Sequence, residues 1–416
     1  MSDDSTPACD GPDRSPRPLA GVRVLDLTNV LAGPFCGHQL AHLGAEVIKV
    51  EMPGTGDLAR QLGADPALNR AGMGVSFLAQ NAGKQSLCLN LKHERGKQVF
   101  RRLVASADAL VENFRPGVMQ RLGLDHPSLL TVQPRLVYCA ISGFGQDGPM
   151  RELPAYDQII QGLSGVMSIT GAPDTAPYRV GYPVADTVGG LTAAMAMCAA
   201  LAARDAQGRR RAAFLDVSML EAMLASMGWA VSNLLVAGQE PVAAGNENLT
   251  ASPSATFATA HGLLNLAANT QQQFVNACRV LHREDLVADA RFAEREARLV
   301  NRMALNAAFE QALAAAPAAV WAQRFNAAGV PAGEVLSVAQ ALAQPQVAGR
   351  GFVQTFPATE AVGRPVRIAR PGVRIDGQPL GVPGGPPALG EHGPQILASL
   401  SYSAGEIAQL QADGIA

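Results

Sequence analysis

The stretch YRVGYPVADTVGG (178–190) sets one carboxylate, Asp186, between an apolar run and a Gly-Gly pair, with Arg179 as its only basic neighbour. Two kinds of work suit an acid there. A carboxylate ahead of a helix can accept bonds from the free N–H groups of the first turn and act as a cap. A carboxylate can also attack an activated carbonyl, splitting one difficult acyl transfer into easier covalent steps. The local residues leave both open. Few other side chains compete for chemistry. Six cysteines (Cys9, Cys36, Cys88, Cys139, Cys198, Cys278) are scattered with no C-x-x-C pair. That argues against a zinc site or a disulfide framework and for a reducing cytoplasm. Cys36, just after AGPF, has no base or cationic cluster beside it to lower its pKa, so an inert thiol is the better reading.

The elements around Asp186 alternate. VRVLDLT (22–28), EVIKVEM (46–52), ALVENF (109–114) and RLVYCAISG (135–143) read as strands, with GPFCGHQLAHLG (33–44) and RGKQVFRRLVASA (95–107) at helical period between them. Strands alternating with helices predict βαβ units and a largely parallel sheet. No G-x-G-x-x-G follows the first strand, so a dinucleotide fingerprint is absent. GFGQDGP (143–149) leads into irregular chain and is weak as a phosphate loop. Residues 187–203 and 216–238 predict two long helices. After about residue 240 the texture changes, with a strand–turn–strand signal at 254–268 and Ala-rich helices to about 328.

Composition sets the outer limits. A chain of 416 residues with 48% hydrophobic content suits two or three domains with a large buried core. A net charge of −2 leaves no electrostatic footprint for nucleic acid. The apolar run LTAAMAMCAALAA (191–203) is too short to cross a bilayer and ends in RDAQGRRR, so no membrane partner is expected. The opening MSDDSTPACDGPDRSPRP does not read as a signal peptide, and residues 1–17 are expected to be a disordered tail.

PLAGVRVLDLTNVLAGP (18–34), GAEVIKVE (44–51), NAGKQSLCLNL (81–91), ENFRPGVMQRLGL (112–124), GFGQDGP, VGYPVADTVGG and LGEHGPQIL (389–397) follow one another in order. Together they resemble the family III CoA-transferases, which include formyl-CoA transferase, carnitine CoA-transferase and the α-methylacyl-CoA racemases. The resemblance implies an α/β fold: a large Rossmann-like domain (18–225 and 340–416) and a small inserted α+β domain (226–339), in an interlocked homodimer. It implies that Asp186 is the nucleophile, forming a mixed anhydride and then an aspartyl-CoA thioester. It implies no cofactor beyond the CoA thioester that is the substrate, and no metal.

The same resemblance assigns the CoA cradle to Asn29, Leu31 and Ala32 after the first strand, to Asn81 and Lys84, to Asn113, Phe114 and Arg115, and to Arg121 on the nucleotide phosphates. A guanidinium fork suits a phosphate physically. Relatives often carry His and Gln where this chain has Asn29 and Leu31, so backbone contacts are expected there. Met52 and Ser142 replace an arginine and a lysine of some relatives. Tyr156 stands where a racemase keeps a histidine, and a phenol is only sparsely ionised at neutral pH and makes a poor proton acceptor. Transfer from a donor such as succinyl-CoA to a small carboxylic or dicarboxylic acid is therefore the expected activity. Racemisation of 2-methylacyl-CoA and a catalytically silent CoA-binding protein are the alternatives. Arg179 is a candidate for reading a distal carboxylate.

Overall fold

The computed structural model describes residues 17–416. The expected tail, apart from Arg17, and Cys9 lie outside them. By internal contacts the chain forms two compact units. Within the described residues the first covers 17–166, 179–238 and 348–416, and the second covers 167–178 and 239–347. The expected boundaries at 226 and 339 fall elsewhere, because the chain stays with the first unit through Gly238 and returns to it at Ala348.

Six strands build the sheet of the first unit: β1 (Arg23–Leu27), β2 (Glu46–Glu51), β3 (Lys84–Cys88), β4 (Ala109–Glu112), β5 (Val137–Ser142) and β6 (Ala213–Ser218). Their order is β3-β2-β1-β4-β5-β6, and every neighbouring pair is parallel. Both faces are covered, which explains the near-continuous apolar strand sequences. One face buries Val24, Val47, Val111, Cys139 and Ile141 under the helices Ala32–His42 and Val184–Ala202. The other buries Leu25, Ile48, Leu110 and Tyr138 with Phe100 and Leu103 of the helix Glu94–Ala105 and with Ile396 and Leu410 of the last two helices. The C-terminus thus closes the core that the N-terminus begins. Strand order reverses between β1 and β4, and sheets of this kind open a ligand crevice there, outside the carboxyl ends of the strands.

Two stretches differ from their sequence reading. Residues 216–238 are not one helix: Asp216–Ser218 complete β6, and the helices Met219–Ser226 and Trp229–Ala237 are bent by 81°. Ser218 caps the first of these by accepting from the Glu221 N–H, and Gly228 (φ 48°) turns the chain into the second. The other helix starts earlier than expected, at Val184, and runs 19 residues, long and apolar enough by length and composition to cross a membrane. Its core face buries the small residues Ala185, Gly189, Gly190 and Ala193 together with Met197.

The second unit has an antiparallel sheet of Ser254–Ala258, Leu263–Ala267 and Ala332–Glu334. Phe257, Phe274, Phe309, Trp321 and Phe325 fill its core. Arg298 is buried there, its guanidinium spent on the carbonyls of Ser252 and Phe292 and stacked 4.3 Å from the Phe274 ring centroid.

The Gly-Gly pair after Asp186 has a steric reason. A Cβ at Gly190 would stand 2.5 Å from the Ala32 carbonyl oxygen, and one at Gly189 would stand 2.9 Å from Met219 Cγ. We expect Gly190→Ala to force the two helices apart and to lower unfolding stability by about 1–3 kcal/mol, the usual range for overpacking. Urea denaturation of the variant against the parent protein measures this.

Candidate active site

The crevice at the β1/β4 reversal holds a cavity of about 360 Å³. Its walls are the loop Asn29–Ala32 after β1, Asn113–Pro116 after β4, Ser142–Gly143 after β5, the segment Leu153–Tyr156, and Asp186. Two of these loops are stitched together. The Asn113 side chain accepts from the Asn29 N–H at 2.8 Å and donates to the Asn29 carbonyl at 2.9 Å. Asn29 Oδ1 in turn accepts from the Leu58 N–H at 2.8 Å, so this side chain is occupied in holding the wall. Phe114 is set by its N–H, which donates to Glu112 at 2.7 Å. Among the described residues no cation pairs with Glu112, and burial pushes its carboxyl up to about 7.

Asp186 is the third residue of its helix and half-buried. Its carboxylate accepts no hydrogen bond among the described residues. The cap is supplied from elsewhere: Asp157 Oδ1 accepts from the Ala185 N–H at 2.9 Å. Asp157 Oδ2 accepts from Gln161 Nε2 at 2.7 Å, and Gln161 Oε1 accepts from the Val180 N–H at 2.9 Å. This clamp holds the approach to the Asp186 helix, and sequence reasoning missed it. Two signals pointed to it: the i, i+4 spacing of the acid and amide in DQIIQ, and Pro183 at the N-cap, which has no side-chain acceptor to offer. The capping alternative for Asp186 therefore fails on geometry.

Electrostatics mark the same residue. Burial, and then the nearby Asp157 charge, push the Asp186 carboxyl up to about 7. The positive end of its own helix opposes this and does not win. Arg179 gives no relief: it is exposed, reaches Gln158 at 3.5 Å and no carboxylate among the described residues, and does not line the cavity. The cations that line it are Arg115 and Arg151, both exposed, with Arg151 paired to Glu152 at 2.9 Å.

The expected site residues divide. Asn29, Leu31, Ala32, Asn113, Phe114, Arg115 and Asp186 meet at one cavity, with Tyr156 and Ser142. Lys84 and Asn81 do not join them. Lys84 is fully buried, its ammonium ion-paired with Asp26 at 2.7 Å and donating to the Pro34 carbonyl at 2.8 Å. Such a lysine braces the core and is not exposed to a phosphate. Asn81 is buried and donates to the Phe77 carbonyl at 2.9 Å. Arg121, on the short helix Val118–Leu122, is exposed but outside the cavity wall. Cys36 is fully buried, and burial pushes its thiol well above the usual range, which suits an inert role.

The model for CoA-transferase family III matches residues 19–393. The chain belongs to that family. This family III protein is 40% identical to the acetyl-CoA:oxalate CoA-transferase of Acetobacter aceti, over 86% of its own length and 91% of that protein's. It is 36% identical to the succinate–glutarate CoA-transferase of Agrobacterium fabrum, over 94% and 97%. A solved structure of a CaiB/BaiF family protein from Brucella suis superposes with a TM-score of 0.80 at 33% identity, covering 92% of this chain and all of that one. The mixed α/β architecture with a parallel central sheet and the general class, CoA transfer, stand on these likenesses.

Because Asp157 raises the Asp186 carboxyl by like charge, its removal has a definite sign. Asp157→Asn keeps an oxygen for the Ala185 N–H but deletes the charge. We expect Asp186, followed by isotope-edited infrared or carboxyl-selective NMR, to titrate near 7 in the parent and at lower pH in the variant. An unmoved midpoint would leave burial as the only cause.

Proposed function

We propose that this protein moves CoA from an acyl-CoA donor to a small carboxylic or dicarboxylic acid through covalent intermediates on Asp186. The observation that carries this is a carboxylate that accepts no hydrogen bond among the described residues, in a cavity at the carboxyl ends of the strands. An Asp186 oxygen attacks the donor thioester carbonyl, the C–S bond breaks, and CoA leaves as thiolate with a mixed anhydride behind. The thiolate then attacks the aspartyl carbonyl, expelling the first acid and leaving an aspartyl-CoA thioester. The acceptor carboxylate attacks that carbonyl, releasing thiolate and forming a second anhydride. Attack of the thiolate on its acyl carbonyl yields the new acyl-CoA and restores the Asp186 carboxylate. Each step exchanges acyl derivatives of similar energy.

In this reading the CoA chain lies along the backbone of Asn29–Ala32 and Asn113–Phe114, with Arg115 and Arg121 toward the phosphates. Relatives named for oxalate, succinate and glutarate support a small dicarboxylic acid as acceptor. The working form in this reading is an interlocked homodimer. The exposed apolar face of Trp229, Leu235 and Val236 gives a second copy a surface to cover.

Only the ionised carboxylate is a nucleophile, so kcat/KM should rise as pH passes upward through about 7. Asp186→Ala should fold normally yet lose CoA exchange and the hydroxylamine-trapped aspartyl adduct seen by mass spectrometry. Retained exchange in a folded variant would end the mechanism. In D₂O the parent should place no deuterium at the α-carbon of a 2-methylacyl-CoA while still moving CoA, as a transferase with Tyr156 in the histidine position requires.

Arg121 gives an independent test of the cradle. Losing one charge-assisted contact costs about 1.5–3 kcal/mol, so Arg121→Ala should raise KM for acyl-CoA roughly ten- to a hundredfold. Steady-state kinetics should show kcat much less affected, since the contact is made in ground and transition states alike.

A further inference from the structure

The loop after β1 holds the least comfortable backbone of the crevice. Val30 sits at φ 67°, in the left-handed region that a β-branched side chain strongly disfavours. Such a conformation persists only where its surroundings over-determine it. The Val30 N–H donates to Asp57 Oδ1 at 2.9 Å and to Asn29 Oδ1 at 3.0 Å. Asp57 Oδ1 also accepts from the Ala59 N–H at 2.8 Å. Its other oxygen forms an ion pair with Lys49 at 2.8 Å, both side chains being fully buried. Lys49 donates in turn to the Thr28 carbonyl at 2.9 Å. One buried pair, reaching in from β2 and the turn after it, therefore grips the loop at residues 28 and 30.

Buried ion pairs are costly to desolvate and are weak devices for stability alone. This pair is placed where position matters. The next residues, Leu31 and Ala32, line the Asp186 cavity, and the Ala32 carbonyl is the atom against which Gly190 of the Asp186 helix packs. We propose that Asp57 is a positioning residue: with Lys49 it holds Val30 in the left-handed turn and thereby sets the backbone on which the CoA chain lies. The proposal rests on the CoA-transfer reading for its ligand and on the loop geometry for its device.

Three variants test it: Asp57→Asn, which keeps an oxygen for the two N–H groups but loses the charge facing Lys49, Val30→Gly, and the double variant. Glycine takes positive φ without penalty. Three readouts are CoA affinity by calorimetry, hydrogen exchange of a peptide spanning residues 28–33 without ligand, and Tm. Asp57→Asn should weaken CoA binding and speed exchange roughly tenfold each, the scale set by one strained non-glycine residue. The double variant should recover most of the affinity while Tm stays at the Asp57→Asn value. That split separates positioning from general damage. Unchanged exchange and affinity in Asp57→Asn, or affinity that tracks Tm with no rescue by glycine, would overturn the proposal. A parent protein that binds no CoA would overturn the CoA-transfer reading instead, and the exchange measurement would then decide the loop device by itself.

Discussion

A single close approach governs the crevice. The backbone of Gly190 lies against the Ala32 carbonyl so tightly that no side chain fits between them. Two helices that begin at opposite places in the chain are thereby held together near their first turns. One starts at the end of β1, and the other carries Asp186. The reversal of strand order between β1 and β4 opens the space, and the glycine contact decides which side chain looks into it. That contact, together with the Asp157 carboxylate on the Ala185 N–H, fixes the acid beside the crevice.

Charge is distributed on two opposite plans within a short stretch of structure. Beneath the loop, Asp26, Lys49, Asp57 and Lys84 are fully buried and mutually paired, and they hold backbone carbonyls and N–H groups in place. At the crevice, Asp186 has no hydrogen-bond or ion-pair partner among the described residues and has Asp157 as a like-charged neighbour. Paired buried charges fix geometry, because moving either one leaves the other unsatisfied. An unpaired one is costly, and in the proposed reaction this one is the reacting group. Asp157 belongs to both plans, since the same carboxylate that caps the helix also raises its neighbour.

Asp186 stood out in the sequence only through the family resemblance, since its own neighbours left a cap and a nucleophile equally open, whereas the parallel sheet was legible from its apolar strands and the helices between them. Lys84 and Asn81 were not. Their partners, Asp26 and the Phe77 carbonyl, are chosen by burial, and a lysine opening a strand reads the same whether it ends in water or on an aspartate 58 residues away. The bend at Gly228 was missed because the residues on either side are apolar and helix-prone, and the strand ending at Ser218 runs straight into them without a loop. Asp57 and Lys49 were invisible for the same reason as Lys84: the strain they restrain at Val30 exists only once the chain is folded.

The electrostatics also bear on the order of energies along the proposed reaction. The free Asp186 carboxylate is the species that burial and Asp157 disfavour. An anhydride or a thioester at that side chain carries no charge, so forming either one relieves the repulsion and the desolvation together. In the proposed reaction the covalent intermediates would therefore escape a penalty that the ionised ground state carries, the direction in which binding energy assists a chemical step. A cation beside Asp186 would ionise it more fully at neutral pH but would lose that difference, since the neutral acyl forms would gain nothing from it. Arg179, the basic neighbour in sequence, turns instead toward Gln158, and its absence from the cavity wall is what lets the repulsion stand.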